Sequence, residues 1–157
     1  MENIKIVNLA DEPQFLEEAA LFMWKEFAEQ FGTKYEDVIY RTKHCINKDT
    51  VPQTYIAKVE DKLIGVVSIW NNDLAFRQDL SPWLAALYVK DEYRHNRVGS
   101  LLQDRCIEET KKMGYKYLYL ITELDNYYER KGWEFVEEAP VRGGFKTKLY
   151  RYLLNDK

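Results

Sequence analysis

The stretch from Leu84 to Leu102 places an apolar run, Leu84-Ala85-Ala86-Leu87-Tyr88-Val89, before a polar one, Lys90-Asp91-Glu92-Tyr93-Arg94-His95-Asn96-Arg97. Val98-Gly99-Ser100-Leu101-Leu102 then follows. A buried strand that passes through a short loop into a helix presents the helix's first N–H groups, unpaired and carrying about half a positive charge. Such a mouth suits an anion, above all a pyrophosphate. Gly99 has no side chain, so phosphate can approach the backbone. Arg94 and Arg97 add fixed positive charge, and Ser100 adds a hydroxyl donor. The same residues also describe a surface helix with incidental arginines, and one glycine does not separate the two readings.

A resemblance separates them. Arg94-x-x-Arg97-x-Gly99 resembles the pyrophosphate motif of the GNAT superfamily of acetyltransferases, written Gln/Arg-x-x-Gly-x-Gly/Ala. Leu87-Tyr88-Val89 is similar to that family's fourth strand, and Leu101-Leu102 to its third helix. Two positions depart from the pattern. Arg97 stands at the first glycine, where it keeps the N–H that the position supplies. Asp91 stands where proline is frequent, which alters loop stiffness rather than chemistry. A second segment, Tyr127-Tyr128-Glu129-Arg130-Lys131-Gly132-Trp133, resembles the family's Phe-Tyr-Glu-Lys-x-Gly-Phe element. The two motifs span residues 84–137 in the family's order.

The resemblance implies an N-acetyltransferase that uses acetyl-CoA as co-substrate and a primary amine as acceptor, by direct attack. The acceptor is a small-molecule amine or a protein amine. Leu87, Tyr88 and Val89 would offer backbone groups to the acetyl and pantetheine portions. The amides of His95, Asn96, Arg97, Val98, Gly99 and Ser100 would hold the pyrophosphate. Tyr128 would protonate the departing thiolate, because tyrosine titrates near 10, close to a thiol. Tyr127 is expected in the core. Asn126 would either touch pantetheine or cap a helix.

The acceptor amine must lose a proton, yet the strand Leu84-Ala85-Ala86-Leu87 carries no acid. Glu123 and Asp125 follow the next strand and are candidates for the base or for binding a cationic acceptor. A solvated loop there, or a chain of waters, would serve equally. The missing acid leaves a different class open, a non-catalytic acetyl-CoA or CoA-binding sensor or assembly module. By the same resemblance, Trp24, Phe27, Phe31 and Tyr35 would wall the acceptor cleft from one side and Phe145 from the other. An aromatic stripe at helical spacing also fits a plain core, so the acceptor is not legible from these residues.

The elements that must hold these residues follow from periodicity. Ile4–Leu9 reads as a strand. Asp11-Glu12-Pro13 opens a helix that runs past Leu16, Ala19, Ala20, Met23, Phe27 and Phe31 to Gly32. Thr33 and Glu36 have capping-box spacing before a second helix, with Val38, Thr42 and Cys45 inside. Strands are expected over 54–59, 63–70, 84–89, 117–122, 133–137 and 145–153, with a hairpin at Glu60-Asp61-Lys62 and a loop over 71–82. A third helix spans about 98–113, with Val98, Leu102, Cys106 and Thr110 as its inner stripe, and Gly114 stops it. Residues 126–131 form a short helix or turn, and Arg142-Gly143-Gly144 a turn. The result is an α/β, or mixed α+β, sheet of about seven strands flanked by about four helices. The chain reads as a single acetyltransferase domain over residues 1–157.

Composition narrows the classes further. The 157 residues are 46% hydrophobic and 15% aromatic, enough for a real core. Net charge is 23 − 26 = −3, which disfavours a nucleic-acid partner and would not repel a cationic amine. No apolar run approaches the roughly 20 residues that cross a bilayer, so no membrane association is expected. The start of the chain has no basic-then-apolar leader, and a cytoplasmic monomer or homodimer is expected. Cys45 and Cys106 read as buried free thiols on helix faces. His44 and His95 are the only histidines, so no metal site is expected. Gly143-Gly144-Phe145-Lys146-Thr147 lacks phosphate-loop spacing and precedes a strand.

Overall fold

A computed structural model describes residues 3–156. The strands are Ile4–Asn8 (β1), Gln53–Val59 (β2), Lys62–Trp70 (β3), Trp83–Val89 (β4), Tyr117–Thr122 (β5), Glu134–Pro140 (β6) and Lys146–Leu153 (β7). They form one sheet in the order β1-β2-β3-β4-β5-β7-β6. Every neighbouring pair is antiparallel except β4 and β5.

The near-continuous apolar run of β2 and β3 demands cover on both faces. On one face, α1 (Leu16–Met23) and α2 (Tyr35–Lys43) pack Ala19, Ala20, Met23 and Val38 with Ile56, Leu63 and Val66. On the other, α3 (Val98–Lys112) sets Val98, Leu102 and Cys106 among Tyr55, Ala57, Ile64 and Ile69. Gly65 allows the close fit of α3, since a Cβ there would lie 3.0 Å from the Tyr88 carbonyl oxygen and 3.2 Å from Leu102 Cδ1. Beyond α1 and α2, the 71–82 loop covers the rest of the first face through Leu74, which packs with Trp83, Ala139 and Leu149.

Most expected elements are present, and five expectations need correction. The first helix is not continuous. After α1 the chain widens into a π-helical turn over Trp24–Ala28 and then a 3-10 turn over Glu29–Phe31, closed by Gly32 at φ 80. An extra residue in a turn shifts the helical phase by about 100°. Phe27 and Phe31, which a regular helix would turn inward, are therefore exposed. Second, the capping box does not form: Lys34 is the N-cap of α2, with no side-chain bond. The Thr33 carbonyl instead accepts the Trp24 indole N–H at 2.6 Å. Third, the described residues form three α-helices rather than about four, because residues 126–131 yield only a 3-10 turn at Glu129–Lys131. Fourth, Cys45 lies just past the end of α2, although both thiols are buried and free as expected. Fifth, Tyr127 is 37% exposed and not core. Among the described residues, no helix is long and apolar enough to cross a membrane.

Candidate functional site

The site starts where the sheet comes apart. β4 and β5 run parallel but pair at a single position, Trp83 with Tyr119. The Tyr119 N–H donates to the Pro82 carbonyl at 3.0 Å. Past that point β4 continues to Val89 and β5 to Thr122 without a further ladder pair. The two facing edges thus carry backbone groups that need other partners.

β4 is also bulged along this edge. Tyr88 pairs with Val66 and Ala85 with Ser68, so Ala86 and Leu87 together stand opposite Val67. Ala86 sits at φ 54, a left-handed conformation that is costly for a residue with a Cβ. Strain of this kind tends to be kept where a site uses it, because the bulge re-aims the backbone. Leu87, Tyr88 and Val89 follow directly, half-buried along the split.

Val89 leads into the mouth of α3. His95 and Arg97 both have positive φ, 72 and 66, and Arg97 is the helix N-cap without a side-chain bond. Left-handed residues just ahead of a helix turn successive N–H groups into one concavity. The first helical bond runs from the Leu101 N–H to the Arg97 carbonyl at 2.9 Å. Among the described residues, the N–H groups of Val98, Gly99 and Ser100 find no acceptor. A Cβ added at Gly99 would meet only Val89 Cγ2, at 3.9 Å, so the space over the mouth is open. Three free donors facing open space at a positive helix end fit a diphosphate.

The charged side chains at the mouth differ in what they do. Arg94 folds back on its own loop, donating from Nε to the Val89 carbonyl at 3.2 Å and lying 3.1 Å from Asp91. Its charge is already matched, so it braces the loop rather than standing free as the sequence suggested. His95, Asn96 and Arg97 are exposed. The Ser100 hydroxyl oxygen accepts from Lys131 Nζ at 2.8 Å. Sequence reasoning did not single out Lys131, because the two residues lie 31 positions apart and the second motif leaves its position free.

That lysine belongs to the turn that holds Tyr128. The Tyr128 carbonyl accepts from the N–H groups of Lys131 and Trp133, at 3.0 and 3.1 Å, and Gly132 closes the turn at φ 91. Tyr128 is 8% exposed, with its ring packed against Trp133 and Tyr150 at 5.9 and 6.1 Å. Its hydroxyl has no hydrogen bond among the described residues. Burial pushes it up to about 12, with Tyr127 adding to the shift. It is therefore a neutral O–H at physiological pH, able to give a proton and unable to act as a phenolate base. Asn126, at φ 61, is exposed, and its carbonyl accepts from Arg130 Nε at 2.9 Å. The 3-10 turn begins at Glu129 with Tyr128 as its N-cap, so Asn126 caps nothing. Among the described residues, two buried donors near this turn and on α3, Trp133 Nε1 and Gln103 Nε2, have no partner.

The acids separate into distinct roles. Asp125 is paired with Lys148 at 2.6 Å, which leaves it poorly placed to accept a proton. Glu123 is exposed and lines an open pocket of about 210 Å³ together with Thr122, Glu138, Lys146, Thr147 and Lys148. A further acid escaped the sequence reading. Asp73 lies in the 71–82 loop, where burial pushes its carboxyl up to about 7 against the opposing pull of Arg41. The Arg41 guanidinium itself lies 4.4 Å over the Trp70 ring. Of the aromatics assigned to the acceptor wall, Trp24 and Tyr35 are half-buried and pack together at 5.8 Å. Phe27, Phe31 and Phe145 are exposed, so the plain-core reading fails for those three. Among the described residues, no group of three or more His, Cys, Asp or Glu could hold a metal ion.

Comparisons with known proteins add independent findings. The sequence model of the Acetyltransferase (GNAT) family matches residues 16–133. No curated protein matches the chain by sequence. Among solved structures, the chain is similar to an aminoglycoside 6'-N-acetyltransferase complexed with coenzyme A, at 16% identity and TM-score 0.75 over 98% of each chain. It is also similar to an aminoglycoside 6'-acetyltransferase type Ii, at 18% identity and TM-score 0.74 over 99% of each chain. A third likeness is to an acetyltransferase of the GNAT family from Streptococcus pneumoniae, at 20% identity and TM-score 0.73, covering 98% of this chain and 100% of that one.

Proposed function

The chain belongs to the acetyltransferase (GNAT) family, and from that premise we propose that it transfers an acetyl group from acetyl-CoA to a primary amine. Residues 1–157 form one acetyltransferase domain, cytoplasmic and acting as a monomer or homodimer. The acceptor is an amine on a small molecule or a peptide. The observation that carries this reading is the β4–β5 split that opens onto the uncapped mouth of α3.

In this reading the edge of β4 at Leu87, Tyr88 and Val89 orients the pantetheine arm and the thioester. The N–H groups from His95 to Ser100 hold the pyrophosphate, and Asn126 lies beside the arm. Acetyl-CoA supplies an activated carbonyl with a thiolate leaving group. The amine nitrogen bonds to that carbonyl carbon, the carbon–sulfur bond breaks, and the Tyr128 hydroxyl gives its proton to the sulfur. Burial keeps that hydroxyl protonated but makes it a weaker acid than a free tyrosine, so the transfer relies on its placement beside the sulfur rather than on a matched pKa. Glu123, exposed and without a partner cation among the described ion pairs, takes the proton from the amine directly or through water.

The alternative, a coenzyme-binding module without turnover, draws on the acid-free β4. It makes a different prediction for the same assay. Purified protein is titrated with acetyl-CoA by calorimetry, then incubated with acetyl-CoA and a panel of amines while free thiol is followed. Binding with thiol release supports the transferase. Binding without release across the panel favours the module, and no binding of acetyl-CoA or CoA removes both.

A further inference from the structure

Lys131 is a half-buried cation in an unusual setting. Its ammonium lies 2.8 Å from the neutral Ser100 hydroxyl and 5.3 Å from the Tyr127 ring centroid. Among the described residues no carboxylate lies within ion-pair distance of it. Arg94 and Lys148, by contrast, are matched by Asp91 and Asp125.

Ser100 is in the first turn of α3, whose N–H groups already carry positive charge. The N-cap Arg97 adds another cation that no described acid offsets. An ammonium held against such a helix end meets like charge, which an anion in the same space would relieve. The bond to Ser100 holds the Lys131 ammonium at the first turn of α3, next in sequence to the bare Gly99.

We infer that Lys131 is a phosphate ligand, the contact by which the Tyr128 turn grips the diphosphate of the coenzyme. The inference rests on the acetyl-CoA reading of the α3 mouth. Lys131 adds what backbone N–H groups cannot, a full charge delivered from the far side of the split. It also ties two functions together. The Lys131 N–H donates to the Tyr128 carbonyl at 3.0 Å, so a phosphate that holds Lys131 also steadies the turn that presents Tyr128.

The test is calorimetry of CoA binding, which does not depend on turnover. Lys131→Gln is expected to weaken CoA about tenfold, since a charge-assisted hydrogen bond is lost, and Lys131→Arg to stay within about threefold of the native chain. Raising salt is expected to weaken CoA binding by the native chain more steeply than by Lys131→Gln. The thermal midpoints of the variants without ligand establish that each folds. The inference is overturned if Lys131→Gln binds CoA as tightly as the native chain, or if the Gln and Arg variants lose affinity equally. A native chain that takes up no CoA at all sinks the acetyl-CoA reading itself, a different failure from either of those.

Discussion

Trp83 and Tyr119 are the one pair that joins β4 to β5, with ring centroids 5.6 Å apart. Trp83 is fully buried, and its indole N–H donates to the Leu80 carbonyl at 2.7 Å. This pair is the apex of the split. The loop that precedes β4, the bulged edge of β4 and the strand that leads to Tyr128 all meet there.

Trp83→Ala is expected to lower stability by about 3–5 kcal/mol, through the cavity it leaves and the lost packing. Urea unfolding monitored by circular dichroism measures it. A loss under about 1 kcal/mol would show that the apex is held by something other than this ring.

Removing the Tyr128 hydroxyl is expected to slow turnover without loosening the coenzyme. Tyr128→Phe should reduce kcat about 100-fold and leave the Kd for CoA within about twofold. The hydroxyl makes no hydrogen bond among the described residues, so stability should change little. Unchanged kcat would take Tyr128 out of the mechanism. In the companion variant Glu123→Gln, the pH dependence of kcat/KM is expected to change, and an unaltered profile would exclude Glu123 as the base.

Gly99 gives a case in which stability and binding should move in opposite directions. Alanine in a helix is favoured over glycine by about 0.5–1 kcal/mol, and its Cβ would meet no protein atom closer than 3.9 Å. Gly99→Ala should therefore raise the thermal midpoint. The same methyl occupies the space above the mouth, so CoA affinity should fall, by about fivefold or more if phosphate contacts the backbone there. Equal or tighter CoA binding by this variant would place the phosphates elsewhere.

Asp73 predicts a pH-dependent stability. Burial raises its carboxyl to about 7 in the folded chain, against an ordinary value of 3.8. The folded state thus holds a proton that the unfolded chain has lost, and the associated stability is present below about pH 4 and lost as pH rises through 7. Asp73→Asn cannot ionise. Its stability relative to the native chain should rise with pH, by up to about 3 kcal/mol between pH 4.5 and 8, since the value of about 7 already includes the opposing pull of Arg41. Urea titrations at the two pH values measure the difference, and a pH-independent gap would show that Asp73 is not strained by burial.

Much of this architecture is written in local pattern. The boundaries of β5 and the start of α3 were readable because apolar residues recur at period 2 in one and 3.6 in the other. The inner stripe Val98, Leu102, Cys106 and Thr110 is buried for the same reason. The two motifs were readable because each packs its chemistry into a few consecutive residues. Where a local pattern misled, a distant contact intervened. Phe27 and Phe31 have helical spacing, but the helix widens into a π turn at Trp24–Ala28, which carries Phe27 and precedes Phe31, and the Trp24 indole reaches the Thr33 carbonyl.

Residue type and spacing alone determined a mixed sheet in which a strand, a polar loop with two arginines and a helix follow in succession, with a short helix or turn around Tyr128 further on, and the family resemblance alone gave the loop and the tyrosine their expected roles. Those features depend on neighbours a few positions apart. Tertiary structure alone decided that β4 and β5 part after one pair, that β4 bulges at Ala86, that Lys131 comes to rest on Ser100 and that Asp73 is half-buried. Each of these depends on which surfaces meet, and residues that meet across the fold leave no mark on one another's spacing in the chain.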